Sequence, residues 1–337
     1  MRKGTLRSTS EKVWCQTVQE MKETMPKTSV GTLCGLFGKT RQAYYKFLRY
    51  EYRTLAEKQL VLEMVQNERA ILPGVGVRKL HSIIFGPSCP QQVSMGMDAL
   101  FALLRENSML LRRSRGRART TNSHHSFRRY PNLAREMTVD APHQLWVSDI
   151  TYIDTMEGFM YLSLVTDAYS RKIIGWDISP KLTASGAIGA LNMAISQLPH
   201  GTGPKPVHHS DRGIQYCCDR YISILKGAGI GISMTEKVDP LENAIAERVN
   251  GILKTEWLKN NRPRLKVEAI DMFGDIVSSY NGRRPHLSLN MQTPDSAHMS
   301  HGPIPRAWKN YWKERHKYDQ GTNPCMITKG TLGVNLT

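Results

Sequence analysis

The sequence predicts an α/β protein in which a mixed sheet, covered by helices, follows an all-α basic region. From about residue 138 onward, β-branched and aromatic runs alternate with helical segments, which is typical of a sheet with helices on its faces. Positive charge is concentrated earlier in the chain. Residues 1–140 hold 24 Lys and Arg against 11 Asp and Glu, whereas the remainder holds 22 against 18. We therefore expect a basic helical part and a less charged α/β part.

The composition limits the classes of protein to which the chain can belong. With 337 residues, 40% of them hydrophobic, the chain is too apolar for a disordered basic tail. A net charge of +17 favours a polyanionic partner such as nucleic acid, with an anionic membrane as the competing interpretation. No apolar stretch is long enough for a membrane span, and the first residues lack the apolar core of a signal peptide. The six cysteines lack zinc-ligand spacing and indicate reduced thiols, so we expect a cytoplasmic protein.

Residues 25–52 fit a helix-turn-helix. A short helix, a turn at Gly38 and Lys39, and a second helix capped by Thr40 are predicted. The second helix of such a motif enters the major groove of DNA. Its groove-facing candidates are Arg41, Gln42 and Lys46, and its inward-packing residues are Tyr44, Phe47 and Leu48. An ordinary helical hairpin with a solvated basic face explains this stretch equally well.

Two further helices are predicted within a DNA-binding region over residues 1–110. They cover residues 54–68 and 97–107 and are joined by a glycine- and proline-containing stretch, 72–90. A basic linker over 111–137 follows, with seven arginines and no acid between 111 and 132. We expect it to track DNA phosphates, although a solvated tether is the alternative. Its candidate contacts are Arg112, Arg113 and Arg115.

The remaining elements define an α/β domain over residues 138–300, followed by a tail over 301–337 without a clear motif. Three consecutive runs predict antiparallel strands, and a helix, a strand, a helix, a strand and a long helix follow them. In chain order these elements cover 144–154, 159–170, 171–179, 183–199, 204–211, 218–230, 231–236 and 239–258.

Three acidic residues lie where these elements bring them together. Asp149 is in the first strand, Asp211 just follows the fourth, and Glu247 lies in the last helix after 35 intervening residues. Clustered carboxylates repel one another unless cations neutralise them. This pattern resembles the DDE transposases and retroviral integrases. Further matches narrow the resemblance to bacterial insertion-sequence transposases of the IS-three group: WVSDITYI, TDAYSRKIIGW, HHSDRGIQY, ENAIAERVNGILKTE, YNGRRPHLSLNMQTP and LCGLFGKTRQAYYK.

The resemblance implies a ribonuclease H-like fold and a specific chemistry. Asp149, Asp211 and Glu247 would hold two Mg²⁺ or Mn²⁺ ions, which drive strand cleavage and strand transfer at the ends of the mobile element. The implied partners are double-stranded DNA of the element ends and of the target. A homodimer or larger assembly on DNA, a possible upstream-frame product and a location at the bacterial nucleoid are also implied.

The helix that carries Glu247 has a polar face and an apolar face. Asp239, Pro240 and Glu242 form a capping-box pattern at its start. The polar face holds Asn243, Glu247, Asn250 and Lys254, and the opposite face holds Ile245, Val249, Ile252 and Trp257. We expect Asn243 and Lys254 to contact DNA; the resemblance also implies that Thr151 and Asn243 lie near the active site and order its ligands. A surface helix with a solvated polar stripe is the alternative.

Other polar residues have competing interpretations. For Arg283, Arg284 and His286, DNA contact and a role in ordering the loop are equally favoured. Asp167 is expected to be a structural strand-end residue, while His208 and His209 are expected to place the strand end or contact DNA rather than to bind metal. Two other functions stay open: a transcription regulator that uses only the helix-turn-helix, and a metal-dependent nuclease without strand joining.

Overall fold

The computed structural model describes residues 4–86, 93–111, 128, 130–198, 205–236, 243–259 and 261–305, with side chains described from residue 13 onward. The chain forms two compact units. The helical unit comprises Met1–Arg119 with Ile252–Asn261, and the sheet unit comprises Thr120–Gly251 with Arg262–Thr337. Among the described helices, none is long and apolar enough to cross a membrane.

The described residues of the helical unit form five α-helices and one π-helical turn. Their bounds are Gly4–Thr24 (α1), Val30–Gly35 (α2), Arg41–Ile71 (α3), Val77–Phe85 (α4), Met97–Glu106 (α5) and Lys254–Leu258 for the π turn.

The first three helices enclose a small core. Its buried members are Trp14, Cys15, Val18, Leu33, Cys34 and Tyr44, with Phe47 and Leu48 packed against them. The turn between α2 and α3 passes through Gly38, whose φ of 63° suits glycine. Thr40 caps α3 because its hydroxyl accepts a hydrogen bond from the Ala43 amide at 3.1 Å. The predicted start of this helix and its inward-facing residues are confirmed.

Two predictions in this region were wrong. Helix α3 runs unbroken over 31 residues, whereas separate helices were predicted from Thr40 and over 54–68. No glycine or proline interrupts residues 39–72, so nothing stops the helix. The predicted connection over 72–90 contains α4, which begins after Gly76 and buries Val77, Leu80 and Ile84. The predicted helix over 97–107 is confirmed as α5.

In the part of the sheet unit that the structure describes, five strands form one sheet in the order β3-β2-β1-β4-β5. The strands are Leu145–Thr155 (β1), Gly158–Asp167 (β2), Ile173–Ser179 (β3), Val207–Ser210 (β4) and Gly231–Met234 (β5). The helices are Ala184–Ser196 (α6), Ile214–Cys217 (α7), Asp219–Gly227 (α8), Ala244–Leu253 (α9), Lys266–Gly282 (α10) and Pro294–His298 (α11). The first three strands are antiparallel, and β4 and β5 run parallel to β1. This mixed sheet confirms the predicted ribonuclease H-like fold.

One face of the sheet packs on α6 and α8. The core there includes Trp146, Ile174, Leu191, Tyr221 and Leu225. Helix α6 approaches β3 closely enough that a Cβ on Gly175 would lie 2.0 Å from the Ala190 carbonyl oxygen, so glycine is required at that position.

Part of the predicted linker over 111–137 packs on the sheet. The Met234 amide donates a hydrogen bond to the Pro131 carbonyl at 3.2 Å, and the Leu133 amide donates to Ser233 Oγ at 2.8 Å. These bonds cover the exposed edge of β5. Arg112, Arg113 and Arg115 lie outside the described residues.

Candidate active site

Asp149 and Asp211 come from two neighbouring parallel strands. In the register of β1 with β4, Val147 pairs with His209, and two further steps bring Asp149 level with Asp211. Adjacent strands lie about 4.8 Å apart. The Gly213 amide donates a hydrogen bond to Asp211 Oδ1 at 2.9 Å, which holds that carboxylate at the end of β4.

Helix α9 turns its polar residues toward β1. Asn243 Nδ2 donates to the Ser148 carbonyl at 2.9 Å, and Asn250 Nδ2 donates to Asp149 Oδ2 at 2.7 Å. Glu247 lies between these two asparagines in the sequence and is exposed. Because residues three and four apart share a helix face, Glu247 lies on the side of α9 that meets Asp149.

The pKa of Asp149 reflects the nearby acidic residues. Burial raises the pKa of Asp149 to about 7, and the Asp211 carboxylate adds to the rise, with a smaller contribution from Glu247. Hydrogen bonds from Asn250 and from the Ile150 amide, the latter at 2.9 Å, oppose the rise in this pKa. A cation placed among these carboxylates would remove the repulsion and favour their ionised forms.

The donor set fits a hard divalent cation, which prefers carboxylate and amide oxygens. Asn243 Oδ1 and Asn250 Oδ1 are both buried without a hydrogen-bond partner in the described part of the chain. Within that same part, no three His, Cys, Asp or Glu side chains are already drawn together closely enough to hold a metal ion. The Glu247 side chain is exposed, so it can change rotamer toward Asp149 without disturbing the core.

A buried polar network lies behind Asp149. His208 Nε2 is hydrogen-bonded to Ser148 Oγ at 2.7 Å and to the Tyr221 hydroxyl at 3.0 Å. Burial lowers the pKa of His208 to about 3, so the ring is neutral at physiological pH. His209 Nδ1 is hydrogen-bonded to Ser233 Oγ at 2.8 Å. Both histidines therefore tie strands together, as predicted. Because Ser148 directly precedes Asp149 in β1, its hydrogen bond to His208 also fixes the strand next to Asp149.

Asp167 has the structural role that the sequence predicted. It is fully buried at the end of β2. Its carboxylate accepts hydrogen bonds from the His143 amide at 2.7 Å and from the Ser170 amide and hydroxyl, both at 2.8 Å. These bonds fix the turn between β2 and β3, away from the carboxylate group of Asp149 and Asp211.

Two predicted DNA contacts need correction. Asn243 is only 7% exposed and Arg284 only 1% exposed, so neither presents its polar group to DNA. Asn243 instead holds the strand next to Asp149. The Arg284 guanidinium lies 5.9 Å from the Tyr280 ring centroid and is hydrogen-bonded to His286 at 2.9 Å. The loop-ordering interpretation is therefore the right one for Arg284.

The remaining predicted DNA contacts stay predictions. Arg41, Gln42 and Lys46 are exposed on the first turns of α3, as groove contacts require, and Arg283 is exposed after α10. Lys254 is half-buried in the π turn.

Two asparagines with clear roles were missed as site or structural residues. Asn250 was assigned only to a polar face, yet it is 5% exposed and bonded to Asp149; its spacing of three from Glu247 was the only signal. Asn281 donates to the Ile173 carbonyl and accepts from the Ile173 amide, both at 2.9 Å. It thereby satisfies the edge of β3 as a neighbouring strand would.

Comparison with known proteins gives a consistent result. Two family models, both described as integrase core domain, match residues 139–240 and 228–294. The insertion element IS600 31 kDa protein of Shigella sonnei is 31% identical over 266 residues, which cover 78% of this chain and 96% of that protein. The InsF transposase for IS3A of Escherichia coli K12 is 34% identical over 165 residues, 48% of this chain and 56% of that transposase.

A solved structure is also similar. A simian T-cell lymphotropic virus intasome, solved in complex with PP2A regulatory subunit B56 gamma, contains a chain that is 21% identical and matches 64% of this chain and 72% of its own length, with a TM-score of 0.42. The extended match to the IS600 protein shows the family on its own. With integrase core models over residues 139–294 and the carboxylates of β1, β4 and α9 inside that span, this chain belongs to the IS3 family of DDE transposases.

Proposed function

We propose that this transposase cuts DNA at the ends of its own insertion sequence and joins the cut strands to another site, with Asp149, Asp211 and Glu247 as the metal ligands. The observation that supports this best is that carboxylates of β1 and the end of β4 lie on neighbouring strands, with Glu247 of α9 near enough to raise the pKa of Asp149 and a buried asparagine that orients Asp149. Such a group is costly to fold without cations.

The three carboxylates act together in this proposal. By resemblance to the family, Asp149, Asp211 and Glu247 would together hold divalent cations such as Mg²⁺ or Mn²⁺. Bound divalent cations supply charge neutralisation and an activated oxygen nucleophile at neutral pH. Asn250 keeps the Asp149 oxygen aimed into the site through its 2.7 Å hydrogen bond, and the His208 network holds β1 and β4 in register behind it.

The proposed reaction needs no covalent bond to the protein. Water attacks phosphorus at the element end, the bond to the 3′ oxygen breaks, and that oxygen leaves as a 3′-OH after taking a proton. The 3′-OH then attacks a phosphodiester of the second site and displaces its 3′ oxygen. One phosphodiester is exchanged for another in this second step, so strand joining requires no energy source.

The helical region supplies DNA binding in this proposal. Arg41, Gln42 and Lys46 lie in the major groove, and Lys254 and Arg283 contact DNA nearer the catalytic domain. The arginines of the linker contact phosphates. The proposed division keeps residues 1–110 for DNA binding and 138–300 for catalysis. Because two element ends must meet, we also propose a dimer or larger assembly on DNA.

Purified protein incubated with labelled duplex from the flanks of its own gene tests the proposal. The reactions contain Mg²⁺ or EDTA, and nicked and joined products are resolved separately. We expect nicked and joined strands with Mg²⁺ only, and loss of both products in Asp149→Asn and Glu247→Gln. Asp177→Asn is the matched control, because Asp177 is a half-buried carboxylate of β3 outside the site.

The outcomes separate this proposal from its alternatives. Nicking without joining would favour a nuclease. Binding with no metal-dependent cleavage in the parent protein would favour a regulator, and equal loss of activity in Asp177→Asn would mean that the substitutions act through folding.

A further inference from the structure

The first turns of α3 present an exposed arc that carries positive charge and aromatic rings. We name it the α3 arc, and its exposed members are Arg41, Gln42, Tyr45, Lys46, Arg49, Tyr50, Tyr52 and Arg53. Glu51 is half-buried, and the next acid, Glu57, is paired with Arg53 at 2.8 Å. The arc itself has no acid, so its field favours a phosphate backbone from Arg41 to Arg49, whereas Glu57 neutralises Arg53 at its far end.

One pair on the α3 arc is preorganised. The Arg41 guanidinium lies over the Tyr45 ring, 5.5 Å from its centroid, one helical turn away. Tyr45 in turn meets Tyr44 edge to face, with centroids 5.3 Å apart and planes at 73°. Tyr44 is buried among the core residues of α1 and α2. The aromatic contacts therefore connect the guanidinium to the core of the helix-turn-helix.

The contact with the Tyr45 ring changes what Arg41 can recognise. A free arginine samples many rotamers and loses this freedom on binding. A guanidinium held on an aromatic ring keeps its plane and its hydrogen-bonding edge in place before DNA arrives. Arg41 is the first residue of α3, and the N-terminal residues of a second helix-turn-helix helix face base edges in the major groove. Arginine there donates two hydrogen bonds to O6 and N7 of guanine.

We infer that Tyr45 is a specificity-determining residue of this transposase, which orients Arg41 to recognise one guanine in the element end. This inference rests on the proposed function, because the DNA concerned is the transposon end. Tyr45 acts through Arg41 and is a positioning residue. Lys46 and Arg49 on the same arc contribute sequence-independent attraction.

Fluorescence anisotropy of the full chain with labelled element-end duplexes, in EDTA, tests the inference. One duplex is natural, one is scrambled, and a series carries 7-deazaguanine at single positions, which removes the N7 acceptor. We expect one position at which 7-deazaguanine weakens binding by the parent protein. In Tyr45→Leu this sensitivity falls about two- to fivefold, while affinity for the scrambled duplex and the salt dependence stay unchanged. Tyr45→Phe keeps the ring and the sensitivity, and Arg41→Lys loses it.

The control is Tyr52→Leu, because Tyr52 is 68% exposed on the same arc; it should behave as the parent protein does. Thermal unfolding confirms that each variant is folded. Equal weakening of natural and scrambled duplexes in Tyr45→Leu overturns the inference, as does unchanged sensitivity at every guanine. The Mg²⁺-dependent cleavage assay on the same protein judges the proposed function separately, since cleavage by a parent that shows no guanine sensitivity refutes only the role of Tyr45.

Discussion

The α3 arc and the carboxylate site present charge in opposite ways. On the α3 arc, cations extend into solvent from one face of a helix whose other face packs in a core. At the carboxylate site, Asp149 is half-buried, its pKa is raised by burial and by Asp211 and Glu247, and the buried Asn250 amide donates a hydrogen bond to it.

The two regions therefore differ in how much their functional charges destabilise the folded state. Exposed cations cost little folding energy, because water solvates them and salt screens them. A buried carboxylate near like charges destabilises the metal-free fold until a cation arrives. Substitutions at the carboxylate site should therefore change both activity and stability, whereas those on the α3 arc should change DNA binding alone.

The largest expected effect is a pH-dependent gain in stability in Asp149→Asn. The pKa of Asp149 is raised to about 7 in the fold from about 3.9 when unfolded. As pH rises between these values the unfolded chain loses this proton first, so the parent loses stability up to pH 7. Asparagine cannot ionise, and its single carbonyl oxygen can accept only one of the two hydrogen bonds that Asp149 accepts from Ile150 and Asn250. In EDTA we expect Asp149→Asn to be more stable than the parent at pH 8 by at most about 4 kcal/mol.

Urea unfolding at pH 8 and at pH 4 measures this difference, and at pH 4 the gain should disappear. Asp271→Asn, at an exposed position of α10, serves as the control. Added Mg²⁺ should stabilise the parent at pH 8 and leave the variant unchanged. A gain of equal size at both pH values would contradict the role assigned to burial and to Asp211.

The next effect concerns Asn250→Ala. Asn250 lowers the pKa of Asp149 through its hydrogen bond, so its removal raises that pKa further above 7. A protonated carboxyl does not bind a cation. We expect Mn²⁺ affinity to fall about 10- to 100-fold at pH 7, with the deficit shrinking toward pH 9. Calorimetric titration at both pH values measures it, and a deficit independent of pH would indicate distorted geometry instead.

The sequence was sufficient for the sheet. β-Branched runs separated by turns predicted all five strands, because period and residue type there reflect burial directly. The register of β1 with β4 then makes the pairing of Asp149 and Asp211 a consequence of the topology.

The sequence was insufficient where the burial of a side chain depends on residues that are distant along the chain. Helical spacing placed Asn243 and Asn250 on one face, but it does not distinguish a face toward solvent from a face toward a neighbouring strand. The Arg284 guanidinium lies over the Tyr280 ring. Two adjacent arginines in the sequence give no sign that one of them is buried in this way. Helix α4 was hidden by glycines at 74 and 76, although Gly76 is its N-cap.

A smaller effect is expected at the start of α3, in Thr40→Ala. The Thr40 hydroxyl satisfies the Ala43 amide at the start of α3, and loss of such a cap costs about 1 kcal/mol. Urea unfolding of the variant beside the parent protein measures this cost. Thr40→Ser should retain most of the stability. A cost well above that expected for a cap would mean that Thr40 supports the packing of α2 as well.

The smallest effect on stability is expected in Lys46→Gln. The same substitution should change the salt dependence of DNA binding. Lys46 is exposed on the α3 arc, so its replacement should change the free energy of unfolding by less than about 0.5 kcal/mol. If Lys46 contacts a phosphate, one fewer counterion is released, and the slope of log affinity against log salt falls by about 0.9. Anisotropy titrations from low to high salt measure that slope, with Lys226→Gln, exposed at the end of α8, as the control. An unchanged slope with unchanged affinity would remove Lys46 from the DNA surface, and the α3 arc would then engage DNA through its first turn alone.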